Sequence, residues 1–108
     1  MEKSNQRLSG MLGFAMRAGK LIIGTENVCV AMAKKNKPLL VAVAKDASEA
    51  TKKKLFVKCE FYSIKAVQLD MRTDALGALL GKTYTPACVG VTDEGFAKEI
   101  EKAASVQN

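Results

Sequence analysis

Four consecutive residues, Gly24-Thr25-Glu26-Asn27, carry the densest chemistry in the chain: a bare backbone, a hydroxyl, a carboxylate and an amide, set where the apolar run Leu21-Ile22-Ile23 gives way to a helical pattern. Glycine permits close backbone approach, and the opening of a helix turns free amide hydrogens and the positive end of its dipole toward a ligand. The same stretch also reads as an ordinary helix start with Thr25 as N-cap. A second candidate, Gly77-Ala78-Leu79-Leu80-Gly81-Lys82-Thr83, imitates a phosphate-binding loop. It has three residues between its glycines where that motif has four, and it closes a helix ahead of a strand, the reverse of the order that aims amides at phosphate. Gly81 reads instead as the left-handed residue that ends the helix, and no nucleotide cofactor is expected.

The chain has no histidine, so Ser–His and Cys–His pairs and His-containing zinc sites are excluded. Its three cysteines, Cys29, Cys59 and Cys88, are odd in number and form no CxxC pair. They read as reduced thiols, two of them in apolar neighbourhoods. No paired-carboxylate motif is present, so no catalytic residue, metal site or cofactor is expected, and the chain reads as a non-enzyme. Lys52-Lys53-Lys54 with Lys58 is the densest basic cluster; consecutive lysines fan around a helix and read as a solvated face. The five methionines are scattered and read as core filler.

Seventeen Lys and Arg against eleven Asp and Glu give a formal charge of +6. Residues 93–108 hold Asp93, Glu94, Glu99 and Glu101 against Lys98 and Lys102, a net of −2, so residues 1–92 carry +8. Such a body attracts polyanions, although charge alone leaves open whether nucleic acid is the partner. No apolar run approaches the ~18 residues of a membrane span, and the polar opening Met1-Glu2-Lys3-Ser4 shows no signal-peptide core. A cytoplasmic protein without a membrane partner is expected.

The elements that must position these groups follow from periodicity. Leu8, Met11, Leu12 and Ala15 lie on one helical stripe that Gly19 closes, and Lys20 leads into the strand Leu21-Ile22-Ile23. A helix after Gly24 keeps Val28, Ala31 and Met32 on one face. Pro38 opens the apolar run Leu39 to Ala44, which reads as a central strand covered on both faces. Asp46 and Ser48 supply cap chemistry for a helix running toward Glu60. Ile64 to Leu69 reads as a strand, Arg72 to Leu80 as a helix, Ala87 to Val91 as a strand, and Thr92 or Asp93 caps a last helix. Alternating strands and helices predict one α/β domain over residues 1–108 with a mixed or parallel sheet covered by helices on both faces, taken as a three-layer α/β/α sandwich around a mixed sheet of about four strands, with a frayed tail from about Ser105.

Taken in order, Gly19-Lys20-Leu21-Ile22-Ile23-Gly24-Thr25, Val41 to Ser48, and Leu76-Gly77-Ala78-Leu79-Leu80-Gly81 resemble the ribosomal seven-Ae, thirty-e and Gadd-like superfamily. Val91-Thr92-Asp93-Glu94-Gly95-Phe96-Ala97 further resembles its bacterial YlxQ-like branch, and the likeness spans roughly residues 7–102. The resemblance implies an α/β/α sandwich that binds kink-turn RNA; ribosome association and a monomeric state are further expectations. It places guanine recognition on Gly24, Thr25, Glu26 and Asn27, contact with a flipped-out nucleotide on Lys82, Thr83, Tyr84 and Thr85, and phosphate contacts on Lys20 and Lys45. The family's usual Asn-Glu order stands here as Glu26-Asn27, and Val30 occupies the position of an expected lysine. Two other classes stay open: a protein-interaction module of the same fold that has lost kink-turn binding, and an enzyme acting on RNA, which the missing histidines disfavour.

Overall fold

Six consecutive apolar residues, Leu39 to Ala44, must be covered on two sides, and the architecture follows from that demand. In the computed structural model, which describes residues 2–35 and 37–105, the elements run α1 Glu2–Arg17, β1 Leu21–Ile23, α2 Thr25–Met32, β2 Leu40–Ala44, α3 Glu49–Phe61, β3 Lys65–Leu69, α4 Thr73–Leu79, β4 Cys88–Val91 and α5 Glu94–Ser105. The strands form one sheet in the order β1-β4-β2-β3. β2 pairs parallel with β3, and β4 is antiparallel to both of its neighbours, β1 and β2. The sheet is therefore mixed, and β1 points the same way as β2.

Every residue of β2 is buried, and its side chains alternate between two cores. Leu40, Ala42 and Ala44 face Leu8 and Leu12 of α1, Leu76 of α4 and Ile100 of α5. Val41 and Val43 face Val28 and Met32 of α2 and Leu55 and Cys59 of α3. These are the three layers expected from the alternating pattern. Leu39, counted with the strand on composition, precedes it and stays 47 % exposed, because the ladder begins at the Leu40–Val91 and Leu40–Lys65 pairs.

The helix ends are made by identifiable groups. Gly19 and Gly81 adopt left-handed φ of 73° and 71°, the two closures read from sequence. Ser48 caps α3 by accepting from the Thr51 amide at 3.1 Å, and Asp93 takes the corresponding role for α5 by accepting from the Phe96 amide at 3.0 Å. Asp46 departs from expectation. Its carboxylate turns away from α3 and accepts from the Thr73 amide at 2.7 Å and the Thr73 hydroxyl at 3.2 Å, so it caps α4. The parallel β2–β3 pairing brings the turns after both strands together, and Ser48 already serves α3. Ser105 still belongs to α5; the rest of the expected frayed tail lies outside the described residues. Among the described residues no helix is long and apolar enough to cross a membrane, and no cluster of His, Cys, Asp and Glu could hold a metal ion.

Leu40 is 1 % exposed between the two ladders that β2 makes with β3 and β4. Leu40→Ala is expected to lower the unfolding free energy by about 2–5 kcal/mol, read as an earlier midpoint with an unchanged slope in a urea titration.

Candidate functional site

The turn from β1 into α2 is a backbone device. Gly24 donates its amide to the Cys88 carbonyl at 3.0 Å, and its own carbonyl accepts the first intrahelical bond from Val28 at 3.0 Å. Serving both partners from one residue requires φ 101° and ψ 150°, a conformation essentially restricted to glycine. Gly24, and not Thr25, is consequently the N-cap, and Thr25 is the first helical residue, its hydroxyl 4.0 Å from the Cys88 thiol. No side chain caps α2, whereas the first turns of α3, α4 and α5 each have an amide held by Ser48, Asp46 or Asp93. The opening of α2 thus keeps its amides and dipole available. Glu26 and Asn27 are exposed beside it, and Asn27 donates its side-chain amide to the Ile23 carbonyl at 3.0 Å, which fixes the side chain over the end of β1.

The same hydrogen bond, Gly24 to Cys88, ties this turn to the segment that enters β4. Lys82, Thr83, Tyr84 and Thr85 lie in that segment, between α4 and Pro86, with Thr83, Tyr84 and Thr85 exposed and Lys82 half-buried. Their path is set by α4. A Cβ built on Gly77 would sit 2.5 Å from the Tyr84 carbonyl oxygen and 3.2 Å from Pro86, so helix and loop touch backbone to backbone. This is why glycine occupies an otherwise unfavourable helical position. Local reading does not reveal that role, because the contact exists only in the folded chain. Tyr84 projects from the loop with 52 % of its surface exposed.

Eight of the ten candidate residues, Gly24 to Asn27 and Lys82 to Thr85, thus fall in two segments joined at one end of the sheet. Lys45 follows β2 and lies at that end too, but its ammonium is already 2.8 Å from the Asp70 carboxylate. Lys20 does not join them. β1 runs parallel to β2, so Lys20, which precedes β1, stands at the opposite end, where its carbonyl accepts from the Thr92 amide at 3.0 Å. The length of β1, about 10 Å of extended chain, separates it from Gly24.

Charge at the site end is mixed. Asp46 and Asp70 meet Arg72 and Lys45 at 3.5 and 2.8 Å, and Asp74 lies 3.8 Å from Arg72. Glu26 and Lys82 complete the set, giving four carboxylates against three cations. The Thr73 amide bond, with help from the Thr73 hydroxyl and Arg72, holds the Asp46 carboxyl below the ordinary value of 3.8 against a smaller opposing push from desolvation. The cysteines are all unpaired. Burial pushes Cys59 up to about 11 and Cys88 up to about 12, so neither is a nucleophile near neutrality.

The fold is an α/β/α sandwich in which the uncapped start of α2 is joined to a loop bearing the exposed ring of Tyr84. The chain belongs to the Ribosomal protein L7Ae/L30e/S12e/Gadd45 family, whose model matches residues 6–101. It is 38 % identical over 101 residues to the RNA-binding protein YlxQ of Enterococcus faecium, covering 94 % of each chain. It is 34 % identical over 90 residues to the RNA-binding protein YlxQ of Bacillus subtilis strain 168, covering 83 % of this chain and 87 % of that one. A Bacillus halodurans C protein of unknown function superposes with a TM-score of 0.82 at 33 % identity, over 92 % of this chain and 97 % of that one. The Giardia lamblia 15.5kD RNA binding protein has the same fold, with a TM-score of 0.74 at 15 % identity, over 98 % and 88 % of the two chains.

Gly77→Ala is expected to displace the loop and cost about 1–3 kcal/mol, with shifted amide resonances at Tyr84 and Thr85. Gly10→Ala, where an added Cβ meets nothing within 4 Å, should leave the loop unmoved and gain about 0.5–1 kcal/mol. A depressed folded-state pKa stabilises above the unfolded value, and the benefit is lost as pH falls through the folded one. Asp46→Asn should therefore be less stable than the parent near neutrality, and urea titrations should show the gap closing as pH drops below 3.8.

Proposed function

We propose that this chain binds structured RNA and that it reads a kink-turn-like bend with the edge formed by Gly24 to Asn27 and Lys82 to Thr85. One observation carries the reading: the uncapped start of α2 and the loop of Tyr84 are joined through the Gly24–Cys88 hydrogen bond. The names of the YlxQ relatives support RNA as the ligand class.

A-form helices hide their base edges in a deep groove, so a protein edge of this kind meets RNA where bases are splayed out. Amides at the α2 start and the outward face of Asn27 suit unpaired guanine edges. Tyr84 offers a ring on which a flipped-out base stacks, and Lys82 offers a phosphate contact. Lys45 contributes by exchanging Asp70 for phosphate. Lys20, at the far end, meets only RNA that extends along the molecule. This reading assigns the chain no catalytic step and no cofactor; it places the protein in the cytoplasm, as a monomer, with ribosomal RNA among the candidate partners.

In low-salt gel shifts with a kink-turn RNA, Tyr84→Ala is expected to lose about 1–3 kcal/mol of binding. Lys82→Ala should flatten the salt dependence by roughly one unit, and Asn27→Ala should weaken binding by ~0.5–1.5 kcal/mol. Unchanged affinity in both Asn27→Ala and Lys82→Ala would refute the site.

A further inference from the structure

Cations are distributed unequally between the two sides of the sheet. On the side covered by α1 and α5 they meet carboxylates: Arg7 with Glu99 at 3.0 Å, Lys65 with Glu101 at 2.8 Å, and Lys98 with Glu94 at 3.6 Å. On the other side, residues 24–38 and 48–63 hold seven lysines against three glutamates. There Lys52 turns inward beside Glu49 at 3.8 Å, while Lys53, Lys54 and Lys58 have no carboxylate partner among the described residues. The basic run that reads as a fan is thereby sorted, and Lys53 and Lys54 share the outer face of α3.

That face is also apolar where a solvated helix would be polar. Residues 53, 57 and 61 recur every four positions and fall on one stripe. Val57 is 56 % exposed and Phe61 78 % exposed, more than any other large hydrophobic residue among those described. The Phe61 ring stands edge-on to Tyr62, with centroids 4.9 Å apart, which steadies it in the open. Lys37 donates its ammonium to the Tyr62 carbonyl at 3.0 Å, so a further cation closes the aromatic end of the stripe. From Lys53 to Phe61 the stripe is about 12 Å long.

We infer that the outer face of α3, with Lys37 at its end, is a second binding surface that takes a single-stranded polynucleotide, its phosphates on Lys53, Lys54 and Lys58 and a base against Phe61. Cations interleaved with an exposed ring match the alternation of phosphate and base along a strand, whereas an acidic polypeptide would use the cations and leave the ring idle. The inference rests on the preceding reading only in taking RNA as the polymer. Its residues are on a different element from the Gly24 edge, so a bent stem on that edge and a single-stranded flank on α3 do not compete.

The test uses the full chain and two probes: an oligouridylate of about a dozen nucleotides, and a kink-turn RNA with blunt stems. Lys53→Ala/Lys54→Ala/Lys58→Ala should lower the salt slope for the oligouridylate by about two, at roughly 0.7 per phosphate contact. Phe61→Ala should weaken that probe by about 5- to 140-fold. Neither variant should alter kink-turn affinity, and circular dichroism should show the parent fold for both, since all four side chains lie on the surface of α3. Loss of oligouridylate binding in Asn27→Ala or Lys82→Ala, with indifference to the α3 variants, would put the strand on the Gly24 edge and overturn the inference. Displacement of the oligouridylate by polyglutamate at equal charge would hand the face to an acidic protein and overturn it as well. If the parent chain binds the oligouridylate through α3 and ignores the kink-turn, the preceding reading fails and this one stands; if it binds neither, both fall.

Discussion

One hydrogen bond organises the end of the molecule that carries the candidate site: the amide of Gly24 donating to the carbonyl of Cys88. It joins the last residue before α2 to the first residue of β4, and so makes neighbours of two segments some sixty positions apart in the chain. The bond requires a backbone conformation that a residue with a Cβ resists, and this is why a glycine stands where a capping side chain would otherwise be expected. Losing the cap has a consequence for the start of α2. The opening turns of α3, α4 and α5 have amides occupied by protein groups, and that of α2 does not.

Around that bond the fold acts as a set of braces. Gly77 lets α4 lie against the loop of Tyr84, Asp46 holds the start of α4 by its Thr73 amide, and Asn27 fastens its own side chain to the end of β1. None of these contacts touches a ligand, yet each sets where a contacting group stands. The edge is nearly neutral, with its aspartates turned toward Lys45 and Arg72, while Lys53, Lys54 and Lys58 on α3 have no carboxylate partner among the described residues. Under the two proposals, the Gly24 edge reads the shape of a bent stem with one phosphate contact from Lys82, and the outer face of α3 holds the phosphates and a base of a single strand.

Much of this was legible in the residues themselves. The unbroken apolar run of β2 reported a strand covered on both faces, Gly19 and Gly81 reported their left-handed closures, and Ser48 its cap. Four things were not legible, and for one reason. Lys20, a phosphate candidate together with Lys45, stands at the other end of the sheet from it, because strand direction is set by pairing and not by local composition. Asp46 serves a helix twenty-seven residues away, and Gly77 owes its identity to the Tyr84 carbonyl. Thr25 has ordinary N-cap chemistry and lost that role to a tertiary hydrogen bond made by its neighbour. Periodicity and caps report local structure, and the site is assembled from non-local contacts.

If the start of α2 and the loop of Tyr84 act as one ligand edge, titration of the isotopically labelled chain with a kink-turn RNA, followed by amide chemical shifts, moves the amides of Thr25 to Asn27 and of Lys82 to Thr85 together, with saturation at the same RNA concentration. Shifts confined to other surfaces, or saturation of the two segments at different concentrations, would contradict it.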